Sequence, residues 1–264
     1  RPMPFGSKQA AGDPLQAIED LAAQVTAHGV KRIDGNVVGD DTAYPWEPYA
    51  EGRAQEDALW DYGAPVSALT LNENRLALGI HPSSRAGGPA QLRLSPPLEY
   101  FVIENRVRTA AAGETRIQLE RMQGSRQLRV WGTVAARSPT SRFIAVEDPA
   151  EYAATALYEA LARRGVTIGG KPVARHRFVN EMESQARPGA AAGVQLARLA
   201  SPPLSEILEI TSKESLNLHA ELVLREVGRV RRTTGSRQAA LEELRAFLGE
   251  VGVPKDECSL VDGS

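Results

Sequence analysis

Residues 211–221 have the sequence Thr-Ser-Lys-Glu-Ser-Leu-Asn-Leu-His-Ala-Glu and lie between two segments with helical periodicity. Within them, Ser215 and Asn217 are two residues apart. On a loop that turns into a helix, this spacing directs a hydroxyl and a carboxamide into the same cleft. There the hydroxyl can relay a proton, and the amide can donate and accept hydrogen bonds. Helix capping is the alternative, because both residue types are favoured N-caps.

The chain around this motif is mainly helical in pattern. Apolar residues recur at helical spacing, and they predict helices at Leu204–Ile210, Leu218–Val227 and Ala239–Val251. No internal repeat of solenoid period accompanies them. A polar segment rich in Ala, Gly and Pro, from Glu183 to Gly193, is interpreted as a linker before these helices.

An α/β pattern occupies the start of the chain and returns later. Residues 18–25 predict an amphipathic helix that ends at Gly29, and residues 32–41 then predict a short strand pair. The same order of helix, glycine and strand recurs over residues 149–168. Two such units indicate one mixed α/β module built from separate parts of the chain.

Between these two parts the period changes from helical to alternating. Apolar residues alternate in short runs, and Gly, Pro and Ser fill the gaps between them. The runs are Leu76 to Ile80, Leu92 to Leu94, Ile117 to Leu119 and Leu128 to Val130. This pattern predicts a small β-rich module inserted into the α/β module.

Composition excludes several classes of function. The 264 residues carry a formal net charge of -2 and are 42% hydrophobic, which is typical of a globular protein with room for one to three domains. A net charge this close to zero gives no reason to expect nucleic-acid binding. No apolar run approaches the roughly 18 residues that a membrane span needs. The single cysteine, Cys258, excludes an internal disulfide, and its acidic neighbours make it a poor nucleophile candidate.

Neither a metal nor a cofactor is expected. The four histidines lack metal-ligand spacing to one another or to the cysteine. Asp40 and Asp41 are interpreted as a strand-end turn cap, because no third carboxylate follows at calcium-loop spacing. The simplest role for Trp46, Trp60 and Trp131 is packing in the core or at an interface.

Taken together, the motifs resemble a known family. Residues 213–225, Lys-Glu-Ser-Leu-Asn-Leu-His-Ala-Glu and then Leu-Val-Leu-Arg, resemble the second motif of class C penicillin-binding proteins, the D-alanyl-D-alanine carboxypeptidase/endopeptidases. Residues 12–41 are similar to the segment after that family's first motif, and residues 62–74 resemble its strand-entry signature. Residues 260–264 resemble the Asp-Gly-Ser-Gly stretch before its third motif. The likeness covers nearly the whole chain in the family's order.

The resemblance implies roles for two residues. Penicillin-binding proteins use Ser-x-x-Lys, Ser-x-Asn and Lys-Thr-Gly, and the first supplies a nucleophilic serine that forms an acyl-enzyme. Ser215 would hydrogen-bond into the lysine network and help to pass a proton to the leaving amine. Asn217 would orient the lysine and bind an amide carbonyl of the substrate.

The other two motifs are missing. None of the five lysines has a serine three positions before it, so the chain contains no Ser-x-x-Lys and no nucleophile. Lys-Thr-Gly is also absent, and the similar residues 232–235, Arg-Thr-Thr-Gly, are interpreted as a loop between helices. Both motifs are expected outside residues 1–264, so the chain is expected to be a segment of a longer protein that forms no acyl-enzyme alone.

The predicted fold class is α/β and β-rich, with several domains. Residues 1–72 and 146–182 are assigned to an inserted mixed α/β module, and residues 73–145 to an inserted β-rich module. Residues 195–264 are assigned to the helical part of a serine-transpeptidase-like, β-lactamase-type catalytic domain. This assignment follows the resemblance, because the family places two smaller modules between its first and second motifs.

The implied function is acyl-serine hydrolysis of D-Ala-D-Ala in peptidoglycan, in the periplasm or elsewhere outside the cytoplasm of a bacterium. The expected partners are peptidoglycan stem peptides, with β-lactam antibiotics as inhibitors, and a homodimer is left open. A non-catalytic module for cell-wall binding or protein interaction is the alternative from another class. A β-lactamase or esterase on the same scaffold is less favoured, because compact β-lactamases lack the inserted modules.

Overall fold

The computed structural model describes residues 13–179, 193–254 and 256–264. The helices in these ranges are α1 (Gln16–Ala27), α2 (Pro149–Arg163), α3 (Leu204–Glu214), α4 (Asn217–Arg232) and α5 (Arg237–Glu250). The strands are β1 (Arg32–Ile33), β2 (Val37–Asp40), β3 (Arg75–His81), β4 (Gln91–Ser95), β5 (Val102–Ala110), β6 (Arg116–Arg121), β7 (Gln127–Ala135), β8 (Thr140–Ala145), β9 (Thr167–Ile168) and β10 (Pro172–Arg175). Short 3₁₀ helices lie at Gln55–Leu59, Asp61–Gly63 and Asn72–Asn74. The predicted linker, residues 183–193, lies outside the described residues except for its last position.

The α/β part joins the two predicted units as parallel strand pairs. Strand β1 pairs with β9, and β2 pairs with β10, both in parallel. Helix α2 packs across β2 and β10 and also contacts α1. The approach of α2 to β2 is so close that a Cβ on Gly39 would lie 2.0 Å from the Ala150 carbonyl oxygen. Only glycine fits at that point of the strand.

The β-rich part consists of two three-stranded sheets. One has the order β4-β3-β8 with all neighbours antiparallel, and the other has the order β5-β7-β6. In the second sheet β5 runs parallel to β7, and β6 pairs antiparallel with the opposite edge of β7. The predicted alternation is confirmed, because Leu76, Leu78 and Ile80 are fully buried, as are Leu128 and Val130.

The β-rich part leaves and rejoins the α/β part at a single point. Asn74 immediately precedes β3, and Val146 immediately follows β8. The Val146 amide donates to the Asn74 carbonyl over 2.8 Å, so the entry and exit of residues 75–145 are hydrogen-bonded neighbours. The Asn74 side chain also donates to the Pro65 carbonyl at 2.9 Å, which anchors this junction to the preceding loop.

The C-terminal part is helical, as predicted. Helices α4 and α5 pack against each other around Leu224, Ala240 and Leu241, which are all buried. Gly228 allows this approach, because a Cβ there would lie 3.0 Å from the Ala240 backbone nitrogen. Helix α3 buries none of its residues, and Leu208 and Ile210 are among its exposed apolar side chains. Over the described ranges, no helix has both the length and the apolar character to cross a membrane.

A histidine connects the strands of the α/β part to helix α2. His176 follows β10, and its Nδ1 lies 3.0 Å from Asp41 Oδ1 at the end of β2. Its Nε2 lies 3.0 Å from Asp148 Oδ2, while the other oxygen of Asp148 caps the first turn of α2. Trp46 stacks on the imidazole at 4.0 Å between ring centroids. One side chain therefore joins two strand ends to a helix N-terminus.

Two carboxylates determine the charge of this histidine. Burial alone would lower the pKa of His176, but hydrogen bonds to Asp148 and Asp41, together with their negative charges, outweigh it and raise the pKa to about 9. A pKa above the unfolded value means that protonated His176 stabilises the fold. This contribution is complete below about pH 6.5 and is lost as the pH rises through about 9.

We therefore expect raised pH to weaken the fold through His176. Between pH 6.5 and pH 9.5 the free energy of unfolding should fall by about 2 kcal/mol more in the unmodified chain than in His176→Gln, allowing for partial solvent screening. Urea denaturation at both pH values measures this difference. Equal losses in the two proteins would show that the two carboxylates do not hold a proton on His176.

Candidate active site

Ser215 lies in the sharp turn between α3 and α4. Its backbone is left-handed, with φ 54° and ψ 52°, and it ends α3 while Leu216 precedes the first residue of α4. The Leu216 amide closes this turn on the Thr211 carbonyl at 3.2 Å. The Ser215 side chain is exposed and Leu216 provides no side-chain cap, so the capping alternative for this serine is wrong.

Asn217 is the first residue of α4 and faces the loop before the β-rich part. Its Nδ2 donates to the Tyr62 carbonyl at 3.4 Å. Arg53 Nη1 donates to the same carbonyl at 3.2 Å, so a carboxamide and a guanidinium meet at one oxygen. The carboxamide oxygen of Asn217 accepts no hydrogen bond from the described part of the chain, so it can accept one from another group.

The Tyr62 carbonyl is held by its own turn. Gly63 packs so closely on the preceding 3₁₀ helix that a Cβ there would lie 2.0 Å from the Asp57 carbonyl oxygen. Arg75, the first residue of β3, donates to Asp61 at 2.8 Å, and the Tyr62 hydroxyl donates to Asp57 at 3.1 Å. The hydrogen-bond acceptor of Asn217 is therefore fixed to the start of the β-rich part.

A buried ionic network continues from Asn217 along α4. Glu221 and Arg225 follow at intervals of four residues, so all three side chains share one face of the helix. Glu221 is 5% exposed, and its carboxylate accepts from the Gly263 amide in the Asp-Gly-Ser tail. Arg225 is 2% exposed, and its Nε lies 3.9 Å from Glu221.

Arg225 also reaches across to the loop that follows β2. It donates to the Glu47 carboxylate and, at 3.1 Å, to the Glu47 carbonyl. A further donation, at 3.3 Å, goes to the Gly235 carbonyl in the turn before α5. Arg237 of α5 adds its backbone amide to the Glu47 carboxylate at 2.8 Å. Glu47 therefore receives hydrogen bonds from both α4 and α5.

An aromatic contact lies beside this network. The Tyr44 hydroxyl donates to Glu226 of α4 at 3.0 Å, and burial, reinforced by the charge of Glu226, raises its pKa. A Cβ on Gly235 would lie 2.2 Å from the Tyr44 ring, so glycine lets the ring pack into the α4–α5 turn. Nearby, Asp40 accepts from the backbone and hydroxyl of Thr42, which confirms its predicted role as a turn cap. The same prediction is wrong for Asp41, whose buried carboxylate bonds to Ser67 and His176 instead.

These contacts surround a shallow cleft between α4 and the loop. Its lining includes Arg53, Tyr62, Asn217, Glu221 and Arg225, and its volume is about 10 Å³, which is room for about one water molecule. Asn217 is in the lining and Ser215 is on the exposed turn next to it. No local pattern pointed to Arg53, whereas Tyr62 begins the stretch that resembles the family's strand-entry signature. The spacing of Glu221 and Arg225 after the motif is typical of a helical ion pair.

The fold of this chain is similar to that of known proteins. A solved structure of penicillin-binding protein 4 from Haemophilus influenzae superposes with a TM-score of 0.76 at 21% identity, over 94% of this chain and 52% of that protein. A second structure of that protein, complexed with a β-lactam, gives a TM-score of 0.68 at 20% identity, over 94% of this chain and 51% of that one. The chain therefore has the mixed α/β, serine-transpeptidase-like fold that the resemblance implied.

Sequence similarity extends further. A D-alanyl-D-alanine carboxypeptidase from Actinomadura sp. is 31% identical over an alignment of 263 residues that covers 96% of this chain and 47% of that protein. The chain thus spans about half the length of the relatives it matches. The family model for D-Ala-D-Ala carboxypeptidase 3 matches residues 8–264. The resemblance seen in the motifs is confirmed, and the chain belongs to the D-Ala-D-Ala carboxypeptidase 3 (S13) family.

Proposed function

We propose that this chain is the part of a serine-type D-Ala-D-Ala carboxypeptidase/endopeptidase that carries the Ser-x-Asn motif. One observation carries the proposal. Ser215 is exposed on the turn into α4, and Asn217 lies in the adjoining cleft with its carboxamide oriented by the Tyr62 carbonyl. The substrate would be the stem peptides of peptidoglycan, and β-lactams would inhibit the enzyme by acylating its nucleophilic serine, which is not Ser215.

The chemistry divides between this chain and a nucleophile elsewhere. A serine activated by its lysine attacks the carbonyl between the two D-Ala residues, the terminal D-Ala leaves as the amine, and water hydrolyses the acyl-enzyme. The Ser215 hydroxyl would pass a proton from the lysine network to the leaving nitrogen. The Asn217 oxygen would accept from the lysine ammonium, and Nδ2 retains a second hydrogen for a substrate carbonyl.

The nucleophile would lie outside residues 1–264. The sequence contains neither Ser-x-x-Lys nor Lys-Thr-Gly. Helix α3 exposes the apolar side chains of Leu204, Leu208 and Ile210. Three exposed apolar side chains on one helix favour packing against another segment of the protein. We propose that the missing motifs are on such a segment, and that residues 1–264 alone form no acyl-enzyme.

The division into three parts also remains a proposal. The boundaries are residues 1–72 with 146–182, residues 73–145, and residues 195–264. The hydrogen bond between Asn74 and Val146 supports an insertion, because it places the two ends of the β-rich part side by side. The enzyme would act outside the cytoplasm of a bacterium, where its substrate is, and homodimerisation stays a prediction.

Acylation by benzylpenicillin tests the proposal. A chain extended to include a Ser-x-x-Lys segment should gain one penicillin adduct by intact mass, and residues 1–264 alone should gain none. Ser215→Ala in the extended chain should slow acylation by about 10²-fold or more, because proton transfer loses its relay. Ser212→Ala, an exposed serine of α3, is the matched control and should react at the normal rate.

Three outcomes would contradict the proposal. No adduct on either chain would favour the non-catalytic wall-binding or interaction module. An adduct on residues 1–264 alone would mean that the nucleophile has been misplaced. Equal acylation rates in Ser215→Ala and the unmodified extended chain would remove Ser215 from the mechanism.

The buried network should determine both stability and acylation. Arg225→Met leaves Glu47 and Glu221 without their cation, so the free energy of unfolding should fall by about 3 kcal/mol, and acylation of the extended chain should slow as Asn217 moves. Adding Glu47→Gln should recover part of the stability.

Arg231→Met is the control, because it removes an ion pair whose arginine is 70% exposed, and it should cost less than about 1 kcal/mol. Urea denaturation and penicillin acylation rates measure these effects, and equal losses for the two arginines would contradict them.

A further inference from the structure

The outer face of the sheet β5-β7-β6 carries a partly buried tryptophan. On the central strand β7, Leu128, Val130 and Val134 are buried in the hydrophobic core. Because side chains alternate along a strand, Trp131 and Thr133 point to the opposite face. Trp131 is only partly buried, and it is not among the residues that form or pack against the core in the described part of the chain. Of the two roles predicted for Trp131, packing in the core does not fit this position, and packing at an interface stays a prediction.

Strand register determines the neighbours of Trp131 on that face. Arg106 of β5 and Gln118 of β6 lie directly on either side of it. In the next row, Arg108 and Arg116 flank Thr133. These four flanking side chains are exposed. The five residues Arg106, Arg108, Arg116, Gln118 and Trp131 are called the Trp131 face below.

Glycine allows β6 to pass close beside this tryptophan. Gly132 has φ 113°, and a Cβ there would lie 2.0 Å from the Arg116 carbonyl oxygen. Any other residue would push β6 away from β7 at this point. The close approach places Arg116 opposite Thr133 and Gln118 opposite Trp131.

The charges on this sheet are not balanced. In the row beyond Arg106, Arg129 is paired with Glu104 at 2.8 Å and with Glu120 at 3.1 Å. Arg106 also pairs with Glu104. Across residues 13–179, 193–254 and 256–264, Arg108 and Arg116 make no ion pair. The Trp131 face therefore has two uncompensated guanidinium groups on one side of an aromatic ring.

This combination suits one type of ligand. Tryptophan and arginine are the residues most enriched among those that dominate binding surfaces, because they offer a large apolar area and directional hydrogen bonds. The apolar C–H face of a pyranose ring can pack on an indole, and carboxylates pair with guanidinium groups in a bidentate manner. A polymer of sugar rings with attached carboxylates offers both groups at once.

We propose that the Trp131 face binds the glycan strand of peptidoglycan, with a sugar ring on Trp131 and stem-peptide carboxylates on Arg108 and Arg116. The identity of the polymer rests on the proposed function. The preference for a sugar ring and carboxylates follows from the residues of the Trp131 face. Arg108 and Arg116 lie two strand spacings apart, roughly 10 Å, so they engage separate carboxylates on one strand. The face would hold the enzyme on the wall while a stem peptide reaches the Ser215 turn.

Cosedimentation with purified peptidoglycan sacculi tests this. Residues 1–264 should bind, and Trp131→Ala should weaken binding by about tenfold, a typical loss for a central interface tryptophan. The double variant Arg108→Gln/Arg116→Gln should weaken it to a similar degree and reduce its salt dependence. Arg142→Gln, an exposed arginine on the other sheet, is the matched control and should bind normally.

A neutral probe separates the two contributions. Chitohexaose, an uncharged N-acetylglucosamine oligomer, should quench the fluorescence of the unmodified chain and of the arginine double variant, but not that of Trp131→Ala. If Trp131→Ala melts at a much lower temperature, the exposed arginine variant carries the sacculi test. Equal sacculi binding by the unmodified chain and both variants would overturn the proposal. Loss of a dimer in Trp131→Ala with unchanged sacculi binding would also overturn it, in favour of a protein contact.

Failure of the proposed function would give a different result. If the extended chain takes up no penicillin while Trp131→Ala still loses sacculi binding, the catalytic proposal fails and the glycan-binding one stands. If the extended chain is acylated and Trp131→Ala binds sacculi normally, the catalytic proposal stands and the glycan-binding one fails.

Discussion

The guanidinium of Arg225 is the contact on which the placement of the Ser-x-Asn motif depends. It is buried between α4 and the loop after β2, and it donates hydrogen bonds to two carbonyls and one carboxylate. A buried arginine is stable only when its hydrogen bonds are made, so α4 has one position on the loop that avoids a large desolvation penalty. Asn217, two helical turns earlier on the same face, is positioned with it.

Similar constraints hold the other parts together. His176 joins two strand ends and a helix N-terminus through two carboxylates, and its charge is a consequence of that geometry. The β-rich part is closed at its base by the hydrogen bond between Asn74 and Val146. In each case a buried polar group must keep its hydrogen bonds, and this limits how the neighbouring elements pack. Apolar side chains impose a weaker limit, because their packing is not directional.

The site combines residues from distant parts of the chain. Asn217 comes from the helical part, Arg53 and Tyr62 come from the loop before the β-rich part, and Gly263 comes from the C-terminal tail. Under the proposed function, the loop that leads into the β-rich part would contribute to catalysis, because its Tyr62 carbonyl accepts the hydrogen bond of the Asn217 carboxamide. The β-rich part also carries the Trp131 face on its outer side, so it would serve both positioning and attachment to the wall.

The sequence alone determined the helices, most strands and the position of the motif, because hydrophobic periodicity and turn residues act over a few neighbours. Motif order was also enough to identify the family. The tertiary structure decided which distant residues meet, since Glu47 and Arg225 are 178 positions apart and no local rule pairs them. It likewise decided that β5 lies parallel to β7 and that Trp131 faces outward beside Arg106 and Gln118. Register and long-range ion pairs depend on the path of whole loops, which residue preferences do not encode.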